Sequence, residues 1–112
     1  MAMKEDIKEK WVAALRSGKY KQGKHRLKNG RKYCCLGVLC DISGLDEFKN
    51  RGDRGEVYLN DIMILPQEVV NWAGLETSNP VIVQKDGIIA LAELNDKGAN
   101  FNTIADLIEA QL

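Results

Sequence analysis

At 112 residues and 45% hydrophobic content, the chain has the size and composition of one domain around one core, which excludes a multidomain machine. No run approaches the roughly 18 consecutive apolar residues of a membrane span, and Met1 to Lys10 is charged where a signal peptide would be apolar. A soluble, cytoplasmic protein without a membrane partner is expected. Sixteen basic and sixteen acidic residues cancel, but their order does not: residues 1–32 hold eleven Lys and Arg against three acids, a net of +8, and the other eighty hold five bases and thirteen acids, a net of −8.

The first predicted element is a helix from about Lys4 to Ser17. Ile7, Trp11, Ala14 and Leu15 recur at helical spacing, Glu5 and Asp6 sit at its positive end, and Gly18 stops it. Asn29-Gly30 then signals a two-residue hairpin turn. The expected arms are Lys24 to Lys28 and Arg31 to Cys35, so that Lys28 faces Arg31, Leu27 faces Lys32, Arg26 faces Tyr33 and His25 faces Cys34. Cys34 to Ser43 reads as a short buried helix stopped by Gly44-Leu45, and the same ending recurs at Gly74-Leu75 after a helix opening at Leu65-Pro66, with Pro66 at its first position.

Between these helices, Asp46 to Gly55 reads as a solvent loop and Glu56 to Asn60 as a short strand. The loop's Arg51-Gly52-Asp53 resembles the integrin-recognition tripeptide; in a reduced cytosolic chain it is read as coincidence. Val81 to Gln84 is a β-branched strand ended by Lys85-Asp86-Gly87. Two helical patterns follow, one lined by Ile89, Leu91, Ala92 and Leu94 and the other by Phe101, Ile104, Ala105, Leu107 and Ile108, with Asn100 as N-cap of the second. The fold class expected is α+β: a single domain over residues 1–112, about five short helices around one core with one or two small β-hairpins.

Three cysteines within seven positions, Cys34, Cys35 and Cys40, make a poor disulfide framework and read as reduced core thiols. A thiol nucleophile is conceivable, because the expected register sets His25 opposite Cys34 and Cys34 opens a helix. No carboxylate lies in the hairpin to orient that histidine, so no catalytic residue is assigned. No metal site is expected either: adjacent cysteines rarely share an ion, and Cys35 and Cys40 lie about 140° apart around a helix. Glycine patterns for phosphate or dinucleotide cofactors are absent, and no cofactor is expected. The last two helices look like the start of a helix-turn-helix, yet Asp106 and Glu109 on the outer face of the second would meet DNA phosphate with negative charge, so sequence-specific DNA binding is not expected.

The basic run remains. Arg16 to Lys32 holds eight bases and no carboxylate. Lys19, Tyr20, Lys21, Gln22, Lys24, Arg26 and Arg31 combine cations with an aromatic ring and an amide, a set suited to an anionic, nucleotide-like small molecule. The plain alternative is a solvated hairpin neutralised by acids of the same chain, such as Asp46, Asp53 or Glu56.

Lys10 to Gly23, Tyr33 to Asp41, Leu91 to Asp96 and Phe101 to Glu109 together resemble a family of small proteins encoded by tailed phages and prophages. The resemblance spans nearly the whole chain and carries over no catalytic residue. It implies a host-cell cytosolic setting and an accessory, nonvirion role; small phage proteins of that kind often sequester a signalling nucleotide or block a defence protein. The expected function is therefore non-enzymatic binding of an anionic ligand through the basic loop and hairpin, as a counter-defence sponge. The alternatives are a module that inhibits a host protein and, third, a cysteine-dependent enzyme.

Overall fold

The computed structural model describes residues 3–112. Helix α1 (Glu5–Arg16) carries Glu5 and Asp6 in its first turn, where carboxylates meet the positive end of the helix, and buries Ile7, Trp11, Val12 and Leu15. That stripe packs mainly against α5 (Phe101–Gln111), which buries Phe101, Ile104, Ala105 and Ile108. The Asn100 side chain caps α5 by accepting from the Thr103 N–H at 2.8 Å.

Helix α2 (Cys35–Ser43) runs through the middle of the core, with every residue from Cys35 to Cys40 buried. A helix apolar all round can only sit inside. Trp11 Nε1 donates to the Cys35 carbonyl at 3.0 Å, tying α1 to its first turn. At Gly37 an added Cβ would lie 1.8 Å from the Leu27 carbonyl oxygen, so only glycine lets the helix approach this closely. Gly44 ends α2 and Gly74 ends α3 (Gln67–Ala73), both in the left-handed conformation, as the two Gly-Leu pairs predict. Pro66 is the N-cap of α3, one position earlier than expected, with extended ψ.

The strands depart more from expectation. Segments β1 (Lys21–Gln22), β2 (Lys28–Asn29) and β3 (Lys32–Tyr33) form a sheet in the order β1-β3-β2, with β1 parallel and β2 antiparallel to β3. The hairpin pairs Lys28 with Tyr33 and Asn29 with Lys32, two residues away from the expected register. Gly30, at φ 65°, is the only residue of its turn with positive φ, the pattern of a type II′ turn centred on Gly30-Arg31 rather than Asn29-Gly30. The arms stop early because Leu27 is fully buried, its N–H donating to Ile62 and its carbonyl accepting from Cys34. Two residues earlier, His25 at φ 69° turns the chain aside, so His25 and Cys34 are not partners.

A second ribbon pairs β4 (Lys49–Asn50) with β5 (Glu56–Val57) across a 3-10 turn at Gly52–Arg54. The strand expected to reach Asn60 ends at Val57, because Leu59 and Asn60, at φ 49° and 81°, reverse the chain between Tyr58 and Asp61. Finally β6 (Val81–Gln84) pairs with β7 (Gly87–Ala90) around Lys85-Asp86. Ile89 was expected in a helix and lies in β7 instead. Its β-branched neighbour Ile88 and the two-residue turn favour the hairpin, and α4 (Leu91–Asp96) starts only after it. With five helices and several short strands in small sheets, the class is α+β as expected.

Candidate functional site

The basic run winds around the three-stranded sheet, and cross-strand register sorts its side chains onto two faces. Gln22, Tyr33 and Lys28 are half-buried on the inner face; Lys21, Lys32 and Asn29 form an exposed row on the outer one. Gly23 follows β1 and packs so closely on Lys32 that an added Cβ would lie 2.8 Å from the Lys32 Cβ. The Gly23 N–H donates to the Tyr33 carbonyl at 2.7 Å. A cleft of about 330 Å³ opens here, lined by Gln22, Gly23, Lys24, Asn29 and Lys32.

On the inner face, four rings meet in a chain of edge-to-face and tilted contacts: Tyr20 meets Tyr33 at 5.0 Å, Tyr33 meets Phe48 at 5.8 Å, and Phe48 meets Tyr58 at 5.0 Å. The Tyr20 hydroxyl donates to Asp41, and burial together with that carboxylate pushes the phenol well above its ordinary range. Lys28 Nζ lies 5.4 Å from the centres of both Tyr33 and Phe48 and 3.2 Å from Glu56. Burial alone would lower the Lys28 pKa; Glu56 and Tyr33 outweigh it and hold the ammonium above its usual value.

The acidic remainder neutralises part of the run. Arg16 pairs with Asp106 and Glu109 of α5, and Lys28 with Glu56; Asp96 lies 3.3 Å from His25 Nδ1 and accepts from its backbone N–H at 2.8 Å. Asp46 instead serves Lys49. Arg26 donates to the Arg54 carbonyl at 2.8 Å. Among the described residues, Lys19, Lys21, Lys24, Arg31 and Lys32 have no carboxylate at ion-pair distance.

Of the seven side chains singled out from sequence, the structure brings Lys21 and Lys24 together with Lys32 and leaves Lys19 exposed next to Tyr20 and Arg31 exposed in the turn. The Tyr20 hydroxyl donates to Asp41, and one guanidinium nitrogen of Arg26, Nη1, donates to the Arg54 carbonyl. Gln22 Nε2 donates to Asn95 Oδ1 at 2.9 Å and to the Ala99 carbonyl at 2.7 Å. Lys32 and Asn29 also line the cleft, outside the seven. The hairpin register sets Asn29 beside Lys32, and the parallel β1–β3 pairing sets Lys32 beside Lys21.

The thiols face inward. Cys34 Sγ caps α2 by accepting from the Gly37 N–H at 3.4 Å, but burial outweighs the capping bonds and pushes its pKa up to about 11. Burial likewise raises Cys35 and Cys40. The His25 side chain is 75% exposed and turned to Asp96 rather than to Cys34. Among the described residues, no group of three or more His, Cys, Asp or Glu side chains gathers where it could hold a metal ion, and no helix is long and apolar enough to cross a membrane.

Fold and site together define a small α+β domain that presents a row of uncompensated lysines beside a cleft. The chain belongs to the family described as Domain of unknown function (DUF8296), which matches residues 3–112. No curated protein and no solved structure matches it.

Proposed function

We propose that this is a non-enzymatic binding protein that holds a phosphate-bearing, nucleotide-like ligand on Lys21, Lys24 and Lys32. The observation that carries this reading is the Lys21–Lys32 pair: two like charges directly opposite in the sheet, without a carboxylate partner among the described residues, of which Lys32 lines a cleft. Like charges opposite one another repel, and a bound anion removes the repulsion. Ammonium groups serve phosphate as mobile point charges, and the Asn29 amide adds a directed donor. Because the Tyr20 and Tyr33 rings pack on each other behind the sheet, recognition on this outer face is of phosphate.

Release of the ligand unchanged would make the protein a sponge, the counter-defence role that its resemblance to small phage proteins implies. Isothermal titration at low salt against a panel of linear and cyclic nucleotides tests the proposal. At least one should bind; Lys21→Ala and Lys32→Ala should each weaken it about tenfold or more, and chromatography should recover it intact. No heat with any nucleotide, or affinity untouched by both substitutions, overturns it.

One observation favours the second reading, a module that blocks a host protein. The outer face of the β6–β7 hairpin is apolar and open, with Val81, Val83 and Ile88 exposed by 50%, 62% and 70%. Affinity capture from infected cells should then yield a stoichiometric partner that Val83→Lys releases; capture unaffected by Val83→Lys counts against it.

A further inference from the structure

A second cleft, also of about 330 Å³, opens on the other side of β1 between the end of α1 and the start of α5. Leu15, Tyr20, Gln22, Asn100, Phe101 and Asn102 line it. Gln22 is a wall of both clefts, so the two adjoin across β1.

The two clefts differ in charge. Arg16 borders the second, but its guanidinium is already held by Asp106 and Glu109, so none of the residues lining this cleft offers phosphate a free cation, and a neutral group suits it better. Leu15 and Phe101, almost wholly buried, close its floor, and the half-buried Tyr20 ring supplies the apolar surface. The Tyr20 ring is held by Asp41 at its hydroxyl and by its perpendicular contact with Tyr33, which fixes its orientation in the wall. Around this surface stand amides with spare capacity. Gln22 uses its NH₂ on Asn95 and Ala99 and keeps its Oε1; Asn100 uses its Oδ1 on Thr103 and keeps its NH₂; Asn102 makes no side-chain bond. A flat apolar wall rimmed by free donors and acceptors fits the faces and edge of a heteroaromatic ring.

We infer that this second cleft is the nucleobase subsite, so that the ligand is a nucleotide lying across β1 with its base against Tyr20 and its phosphates on Lys21, Lys24 and Lys32. This assignment rests on the phosphate-binding reading above and adds base selectivity to it. Asn102 is the exposed, uncommitted reader of the base edge, and its replacement does not touch the core.

Titrations of the four common ribonucleoside triphosphates and of inorganic tripolyphosphate, on the full chain and on Asn102→Ala and Lys21→Ala, separate the two claims. At least one triphosphate should bind tenfold or more tighter than tripolyphosphate, and the four bases should differ. Asn102→Ala should shrink those differences and leave tripolyphosphate binding unchanged, whereas Lys21→Ala should weaken all five probes by a similar factor. Tripolyphosphate binding as tightly as every nucleotide would overturn the base subsite and leave the lysine face standing. Asn102→Ala with the wild-type base preference would also overturn it, and no binding by any probe removes both claims.

Discussion

Asn95 is the one buried polar side chain among the described residues, and it joins three parts of the chain. Its Oδ1 accepts from Gln22 Nε2 at 2.9 Å and from the Cys35 N–H at 3.2 Å, and its Nδ2 donates to the Gly23 carbonyl at 2.7 Å. Asn95→Ala strands those groups without water and should cost about 3 kcal/mol, seen as a lower urea midpoint with an unchanged slope. Asn95→Leu should cost as much, which would show that the loss is polar rather than a cavity. None of this was legible in the sequence, where Asn95 is only a break between two helical patterns. Its partners lie 60 to 73 positions away, and a single amide carries no mark of what it will meet. The buried thiols were legible, because cysteine in an apolar run is usually core. They also set an alkaline limit. An unfolded thiol ionises near pH 8.5 and Cys34 only near about 11, so the folded state keeps a proton that the unfolded state has lost. Stability from this group is complete below about pH 8.5 and falls between there and 11, by about 1.4 kcal/mol per pH unit. Cys35 and Cys40 shift in the same direction and steepen the fall. Urea melts at pH 8 and 10 check this, and Cys34→Ala should flatten the difference.

Among the elements, the helices were readable because their limits are local: Gly44 and Gly74 stop α2 and α3 where each stands, and Asn100 caps α5 by a bond three residues on. The ribbons were half readable. The turn residue Gly30 was identified, but which pair of residues forms the turn centre was decided by the burial of Leu27, a fact about the core. The last hairpin shows how a short ribbon is held from outside. In β6 the Val83 N–H and carbonyl face away from β7, and the Gln111 side chain of α5 takes both, at 2.8 and 2.9 Å, as a neighbouring strand would. A two-stranded ribbon is marginal by itself, so this clip matters locally. Gln111→Ala should lower the hydrogen-exchange protection of the Val83 amide by about tenfold while that of Ile82, which pairs with Ile89, changes little. Equal loss at both positions would mean that the ribbon opens as a unit and that Gln111 is not a separate clip.

For the whole molecule, zero net charge conceals a division that folding only partly closes. Asp96, Asp106, Glu109 and Glu56 return to His25, Arg16 and Lys28, yet no described acid returns to Lys21, Lys24 or Lys32. The two adjacent lysine positions of the sheet therefore make opposite contributions. Lys28 lies over Tyr33 and Phe48 and is paired with Glu56, both members of the pair being mostly covered, so Lys28→Gln should lower stability by about 1 kcal/mol and leave phosphate affinity nearly unchanged. Lys32 stands exposed against Lys21, so Lys32→Gln should raise stability, by about 0.5 kcal/mol or less after solvent screening, while phosphate affinity falls. Adding salt should mimic Lys32→Gln, because counter-ions screen the exposed pair far more than the covered one. A fold selected for stability alone would place an acid opposite Lys32 as it places Glu56 beside Lys28. Thermal melts and titrations on the two variants measure the trade directly. If Lys32→Gln destabilises the protein as Lys28→Gln does, the outer row is structural and its charge serves the fold; if it stabilises the protein and weakens the ligand, that charge is kept for what binds there.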